Sequence, residues 1–143
     1  MFGQIALGSV VMLSTVLIAG ISVAVMETLL NRFRPWLKRH PHKPKQIVVL
    51  MVSAFWVLGL MTISVWIWAF VFVGLGVFPD LEHATYFSLV CFTTLGFGDV
   101  LLPEGWRLLG GLAAANGLLN IGLMTALLVE TLRDIRNLQG GRG

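Results

Sequence analysis

The chain has 143 residues, 57% of them hydrophobic and only 12% charged, with a net charge of +3. That balance excludes a soluble domain of this size, which needs far more polar surface. The lone cysteine, Cys91, excludes a disulfide within the chain and reads as a small packing residue.

Charge is absent from Met1 to Met26, from Gln46 to Pro79 and from Leu108 to Val129. A helix needs roughly 20 such residues to cross hydrocarbon, so the fold class expected is an all-α membrane protein with three transmembrane helices. A fourth uncharged run, His83 to Gly98, is too short to cross and return as helix, and reads as a re-entrant segment.

The first transmembrane helix is expected over 1–30. It is read as a retained helix and not a secretory signal, because no basic residue precedes its apolar stretch and the basic cluster follows it. Arg32, Arg34, Lys38, Arg39, Lys43 and Lys45 then crowd a loop over 31–46. The positive-inside rule puts that loop in the cytoplasm, the N-terminus outside and the C-terminal tail, 135–143, inside. The setting expected is a plasma membrane, of the bacterial inner-membrane kind. The same basic side chains suit contact with anionic lipid, and as a membrane-flanking cluster they argue against nucleic-acid binding. His40 and His42 make only a weak metal pair, with no further ligand.

The next crossing is read as an outer helix over 47–72, ending ahead of Gly74, Gly76 and Pro79. A pore helix is expected over 81–93, with Asp80 as its cap and Glu82 suiting the positive end of its dipole. Thr94-Leu95-Gly96-Phe97-Gly98-Asp99 follows without helical periodicity. Irregular backbone at membrane depth is tolerated only where it is buried in protein or lines a water-filled path. Stripping a monovalent cation of water needs a dense set of replacement oxygens. Successive backbone carbonyls supply them if the chain alternates in conformation, which Gly96 and Gly98 do at low cost. Thr94 adds a hydroxyl.

Thr93-Thr94-Leu95-Gly96-Phe97-Gly98-Asp99 resembles the potassium-channel signature, whose filter carbonyls replace the hydration shell. Residues 47–134 are similar to the two-transmembrane, pore-loop bacterial potassium channels, in the order outer helix, pore helix, filter 94–99 and inner helix 104–134. The first helix lies outside that module. The resemblance implies a potassium-selective homotetramer. In it the carbonyls of Thr94, Leu95, Gly96 and Phe97 and the Thr94 hydroxyl bind potassium, while Gly98 shapes the outer exit. It also implies that Asp99 braces the filter from behind. Tyr86 stands where many relatives carry tryptophan, and Thr93 and Val90 belong to the same support. Val90 replaces the buried glutamate of some relatives, Leu95 the usual valine, and Phe97 the usual tyrosine.

On the inner helix the resemblance implies Gly117 as a gating hinge and Gly122 as a second glycine position, against a reading of both as packing glycines. Asn116 and Asn120 lie four apart and share a face. They are expected to meet a neighbouring helix, with bonding between subunits the leading reading, or to line a cavity with Leu118, Ile121 and Thr125. His83 reads as a candidate for external pH sensitivity or as an exposed histidine. No catalytic constellation is present, so an enzyme is not expected, and potassium is the one ion implied, with no cofactor. The rival readings are a weakly selective monovalent cation channel and a non-conducting regulatory channel subunit.

Overall fold

The computed structural model describes residues 2–37 and 42–139. Its elements in chain order are α1 (Phe2–Leu37), α2 (His42–Gly74), α3 (Leu81–Phe92), a single 3-10 turn (Glu104–Trp106) and α4 (Arg107–Gln139). Among the described residues there is no strand, and α1, α2 and α4 are each long and apolar enough to cross a membrane. The chain is an all-α integral membrane protein.

The helix ends differ from the sequence expectation. Most of the 31–46 segment is helical, because α1 continues to Leu37 and α2 already begins at His42. Charge marks where a helix leaves hydrocarbon, not where its hydrogen bonding stops, and arginine and leucine are good helix formers. Pro35 is accommodated in the last turn of α1. Lys38, Arg39 and His40 lie outside the described residues. At the other bounds, α2 extends to Gly74, α3 stops at Phe92 with Thr93 as its cap residue, and α4 runs on to Gln139.

α1 lies along α4 more extensively than any other pair of helices meet. Gln4 Nε2 donates to the Gly105 carbonyl and Thr15 Oγ1 to Asn116 Oδ1, both across 101 residues. The constant offset makes the two helices parallel, as a first and a third crossing must be. Gly8 permits the approach: a Cβ there would sit 2.5 Å from Leu112 Cδ1.

α3 is wedged between α2 and α4. Phe87 of α3 meets Phe72 of α2 edge-on at 5.3 Å and Phe78 at the same distance. Such pairs add about 0.5–1.5 kcal/mol each beyond their buried area. Trp68, Leu102, Leu109 and Ala113 complete this buried cluster. Gly110 leaves room for it, since a Cβ there would come within 2.7 Å of Leu102 Cδ1. The short helix is therefore clamped on its apolar face, and the loop that follows it starts from a fixed point.

Candidate pore-loop site

The start of α3 is set by Asp80. Its backbone is extended, and its carboxylate accepts the His83 N–H at 2.8 Å, capping a helix whose first turn carries Glu82. The His83 ring reaches the same carboxylate at 2.8 Å. The N–H bond, and then the ring, hold the Asp80 carboxyl below its usual range, while the bond to Asp80 raises the His83 imidazole.

The end of α3 is a Schellman motif. The Leu95 N–H donates to the Val90 carbonyl at 3.0 Å and the Thr94 N–H to the Cys91 carbonyl at 2.9 Å. Thr94 occupies the left-handed position with φ 58, where glycine is usual and a β-branched side chain is strained. The Gly96 N–H also turns back to the Val90 carbonyl, at 3.4 Å, and Thr93 Oγ1 donates to the Leu89 carbonyl at 2.9 Å. The first amides of the loop are thus used up on the last carbonyls of α3. Val90 itself is buried and serves the loop through its backbone oxygen.

Beyond Thr94 the backbone alternates. Gly96 has φ 58 and Gly98 φ 76, whereas Leu95 and Phe97 are not in the positive region. Alternation of hand collects successive N–H groups on one side and frees the carbonyls from them. All of Thr93 to Asp99 is exposed on the single chain, including the large apolar Leu95 and Phe97.

The far end of the loop is tied back to the middle of α3. The Tyr86 hydroxyl donates to Asp99 Oδ2 at 2.5 Å, and the Val100 N–H donates to Asp99 Oδ1 at 3.0 Å. The Tyr86 bond is the main cause holding the Asp99 carboxyl below its usual range. The loop is therefore pinned at both ends to the same short helix.

α4 meets this assembly at Gly117. A Cβ there would overlap the Phe92 carbonyl oxygen and lie 2.6 Å from its carbonyl carbon. Gly117 is required for close packing against the end of α3, whatever it contributes to bending. Gly122 has nothing within 4 Å of such a Cβ.

Asn116 and Asn120 are wholly buried within the single chain. Thr15 of α1 donates to Asn116 Oδ1, and Asn120 Nδ2 donates to Asn116 Oδ1 and to the Asn116 carbonyl, all at 2.9 Å. The neighbouring helix that the amides meet is α1 of the same chain, which brings a hydroxyl to their depth. Thr15 is the residue that sequence reasoning missed; its signal was a hydroxyl in mid-span. Thr125 Oγ1 bonds its own helix at the Ile121 carbonyl, at 2.8 Å, and Leu118 is exposed. Among the described residues no three His, Cys, Asp or Glu side chains converge to hold a metal ion.

The family model described as Ion channel matches residues 47–134, more than half of the chain, and covers most of α2, all of α3, the loop and most of α4. Neither a curated protein nor a solved structure gives a match.

Proposed function

Because the chain belongs to the ion channel family over residues 47–134, we propose that it is the subunit of a homotetrameric potassium channel. It conducts passively, through backbone carbonyls gathered at the tetramer axis. One observation carries this reading: positive φ at Thr94, Gly96 and Gly98, one residue in two, between the end of α3 and the anchored Asp99. A chain so alternated offers consecutive carbonyls of Thr94, Leu95, Gly96 and Phe97 to one side, the chemistry that replaces a cation's hydration shell.

One strand cannot surround an ion. Four copies about an axis close the ring, and they also cover Leu95 and Phe97, which the single chain leaves 56% and 65% exposed. Gly98 opens the outer exit, and α3 directs its negative end toward a waiting cation. The N-terminus then lies outside a plasma membrane and the basic ends of α1 and α2 face cytoplasmic anionic lipid. Gly117 serves as hinge as well as contact.

A weakly selective cation channel is the second reading, favoured by Phe97, which has no hydroxyl to brace the filter. The test is flux of potassium or rubidium into liposomes holding the purified chain, with reversal potentials in mixed potassium and sodium. Gly96→Ala and Gly98→Ala should each abolish the flux, since a Cβ in the left-handed region costs about 1–2 kcal/mol per residue in each of four strands. Flux that survives both replacements sinks the filter assignment, and equal permeation of sodium favours the second reading.

A further inference from the structure

Glu27 and Glu130 are the first charged residues beyond the uncharged runs of α1 and α4, so they stand where both helices leave hydrocarbon. With Asp134 they line one recess of about 320 Å³ between those helices. Small-molecule sites begin at about 300 Å³ and are mostly apolar with a few convergent polar groups. Here Met26, Leu30 and Leu127 supply apolar wall. Glu130 and Asp134 are four residues apart on α4, where like charges repel, and Glu27 adds a third carboxylate from α1. Among the described residues none of the three is held in an ion pair or hydrogen bond.

Thr131 adds an independent sign of a ligand. It is 3% exposed and lines the same recess. Thr28, Thr62 and Thr125 each bond the carbonyl four residues back, but among the described residues the Thr131 hydroxyl has no partner. Its oxygen is not enclosed, as the partnerless hydroxyls of Ser53 and Ser88 are, so the recess is where it is reached. A hydroxyl buried without a partner is costly, and a donor in the recess removes that cost. The carboxylates do not converge closely enough for a metal ion. An ammonium group, with three N–H donors and a positive charge, serves the carboxylates and the hydroxyl oxygen together.

Toward mid-membrane the recess continues into a second of about 150 Å³, with which it shares Val23, Leu123 and Leu127. Leu60 and Met124 help to wall this inner hollow. An apolar cavity of about this size holds a benzene, so it takes a short hydrocarbon tail. We propose that the cleft binds a primary alkylammonium ion, its head among Glu27, Glu130, Asp134 and Thr131 and its tail along Leu123 and Leu127 toward Met124. A phosphatidylethanolamine headgroup carries the same ammonium, but its phosphate would meet the same three carboxylates. The site rests on the packing of α1 against α4 and not on conduction.

The test titrates hexylammonium into the full chain in phosphatidylcholine nanodiscs, followed by NMR of carbon-13-labelled methionine methyls. Met26 reports the head recess and Met124 the tail, while Met51, exposed on α2, reports partition into lipid. Met26 and Met124 should shift saturably at concentrations that leave Met51 unmoved. Hexanol, with the same tail and no charge, should bind at least ten-fold more weakly, since each exposed ion pair adds up to about five-fold. Glu130→Gln combined with Asp134→Asn should weaken hexylammonium by roughly ten-fold and leave hexanol unchanged. Thr131→Val should weaken hexylammonium but not hexyltrimethylammonium, which has no N–H to donate. Equal binding of hexylammonium and hexanol by the unaltered chain overturns the site, a comparison that stands even if the variants fail to fold. Hexylammonium affinity unmoved by the double replacement, or displacement of hexylammonium by phosphatidylethanolamine in the nanodisc, also overturns it.

Discussion

Thr15 Oγ1 donates to Asn116 Oδ1 at 2.9 Å, with both side chains almost wholly buried between α1 and α4. Asn116 immediately precedes Gly117, whose backbone rests on the carbonyl of Phe92 at the end of α3. The helix outside the channel module therefore grips the inner helix one residue from its contact with the base of the pore loop. Together with Gln4 on the Gly105 carbonyl, at the same offset of 101 residues, the Thr15 contact sets the register of the pair. Gly8 against Leu112 supplies closeness, and Thr15 against Asn116 supplies position.

Thr15→Val keeps the shape and removes the hydroxyl. Hydrogen bonds between membrane helices average about 0.6 kcal/mol and reach about 1.7. Asn116 Oδ1 keeps the Asn120 amide as a donor, so a loss of about 1 kcal/mol is expected in unfolding from mixed micelles. Ser14→Ala is the control. Among the described residues Ser14 bonds only the Val11 carbonyl of its own helix, at 2.7 Å, and its replacement should be nearly neutral. Equal losses from the two replacements count against the docking of α1 on α4.

Three crossings are legible in the sequence because a bilayer demands long uncharged runs, and the Asp80 cap because capping depends on four neighbouring residues. The bounds of α1 are not, since the charges beyond Glu27 mark the edge of hydrocarbon rather than the end of the helix. Asn116 and Asn120 reveal a shared face but not which neighbour meets it, because Thr15 is 101 residues away from Asn116 and only packing chooses it. The Schellman end of α3 is hidden by chemistry. Its left-handed position holds Thr94, where a reader of turn signals looks for glycine. Gly96 and Gly98 are readable for the opposite reason.

pH should act through Asp80 and His83. The bond to Asp80 raises the imidazole above its ordinary 6.5. A raised imidazole stabilises while it is protonated. Its contribution is therefore complete below the ordinary value and is lost as pH rises through the raised one. A proton NMR titration should place His83 above 6.5, and Asp80→Asn should return it toward that value. His83→Gln keeps the backbone cap and should remove the step. A titration unmoved by Asp80→Asn means that the pair is not formed.

Asp99 carries the opposite sign. Its carboxyl is held below the ordinary 3.8, chiefly by the Tyr86 hydroxyl. The stabilisation it provides is present above the ordinary carboxylate range and disappears as pH falls through the lowered value. Tyr86→Phe removes the main cause and leaves the Val100 N–H as the remaining donor. Acid should then stop ion flux at a higher pH than in the unaltered chain. Tyr86→Trp, which restores a donor, should move the midpoint part of the way back. Identical acid midpoints in all three proteins would mean that the bond does not hold the loop.

Gly117→Ala and Gly122→Ala separate close packing from hinge bending. At 117 the added methyl meets backbone, the Phe92 carbonyl, which no rotamer change moves aside. Overpacking commonly costs about 1–3 kcal/mol, and the upper end or more is expected where the obstacle is main chain. Because Phe92 is the last residue of α3, the displacement passes into Thr94 and Leu95, whose amides bond the carbonyls of Cys91 and Val90. Gly117→Ala should therefore lower both thermal stability and flux. At 122 nothing stands within 4 Å, and alanine favours the helix by about 1 kcal/mol, so stability should hold or rise. Reduced flux at unchanged stability in Gly122→Ala would then identify bending of α4 as a step in opening. Wild-type stability in Gly117→Ala would show that α4 does not touch the end of α3.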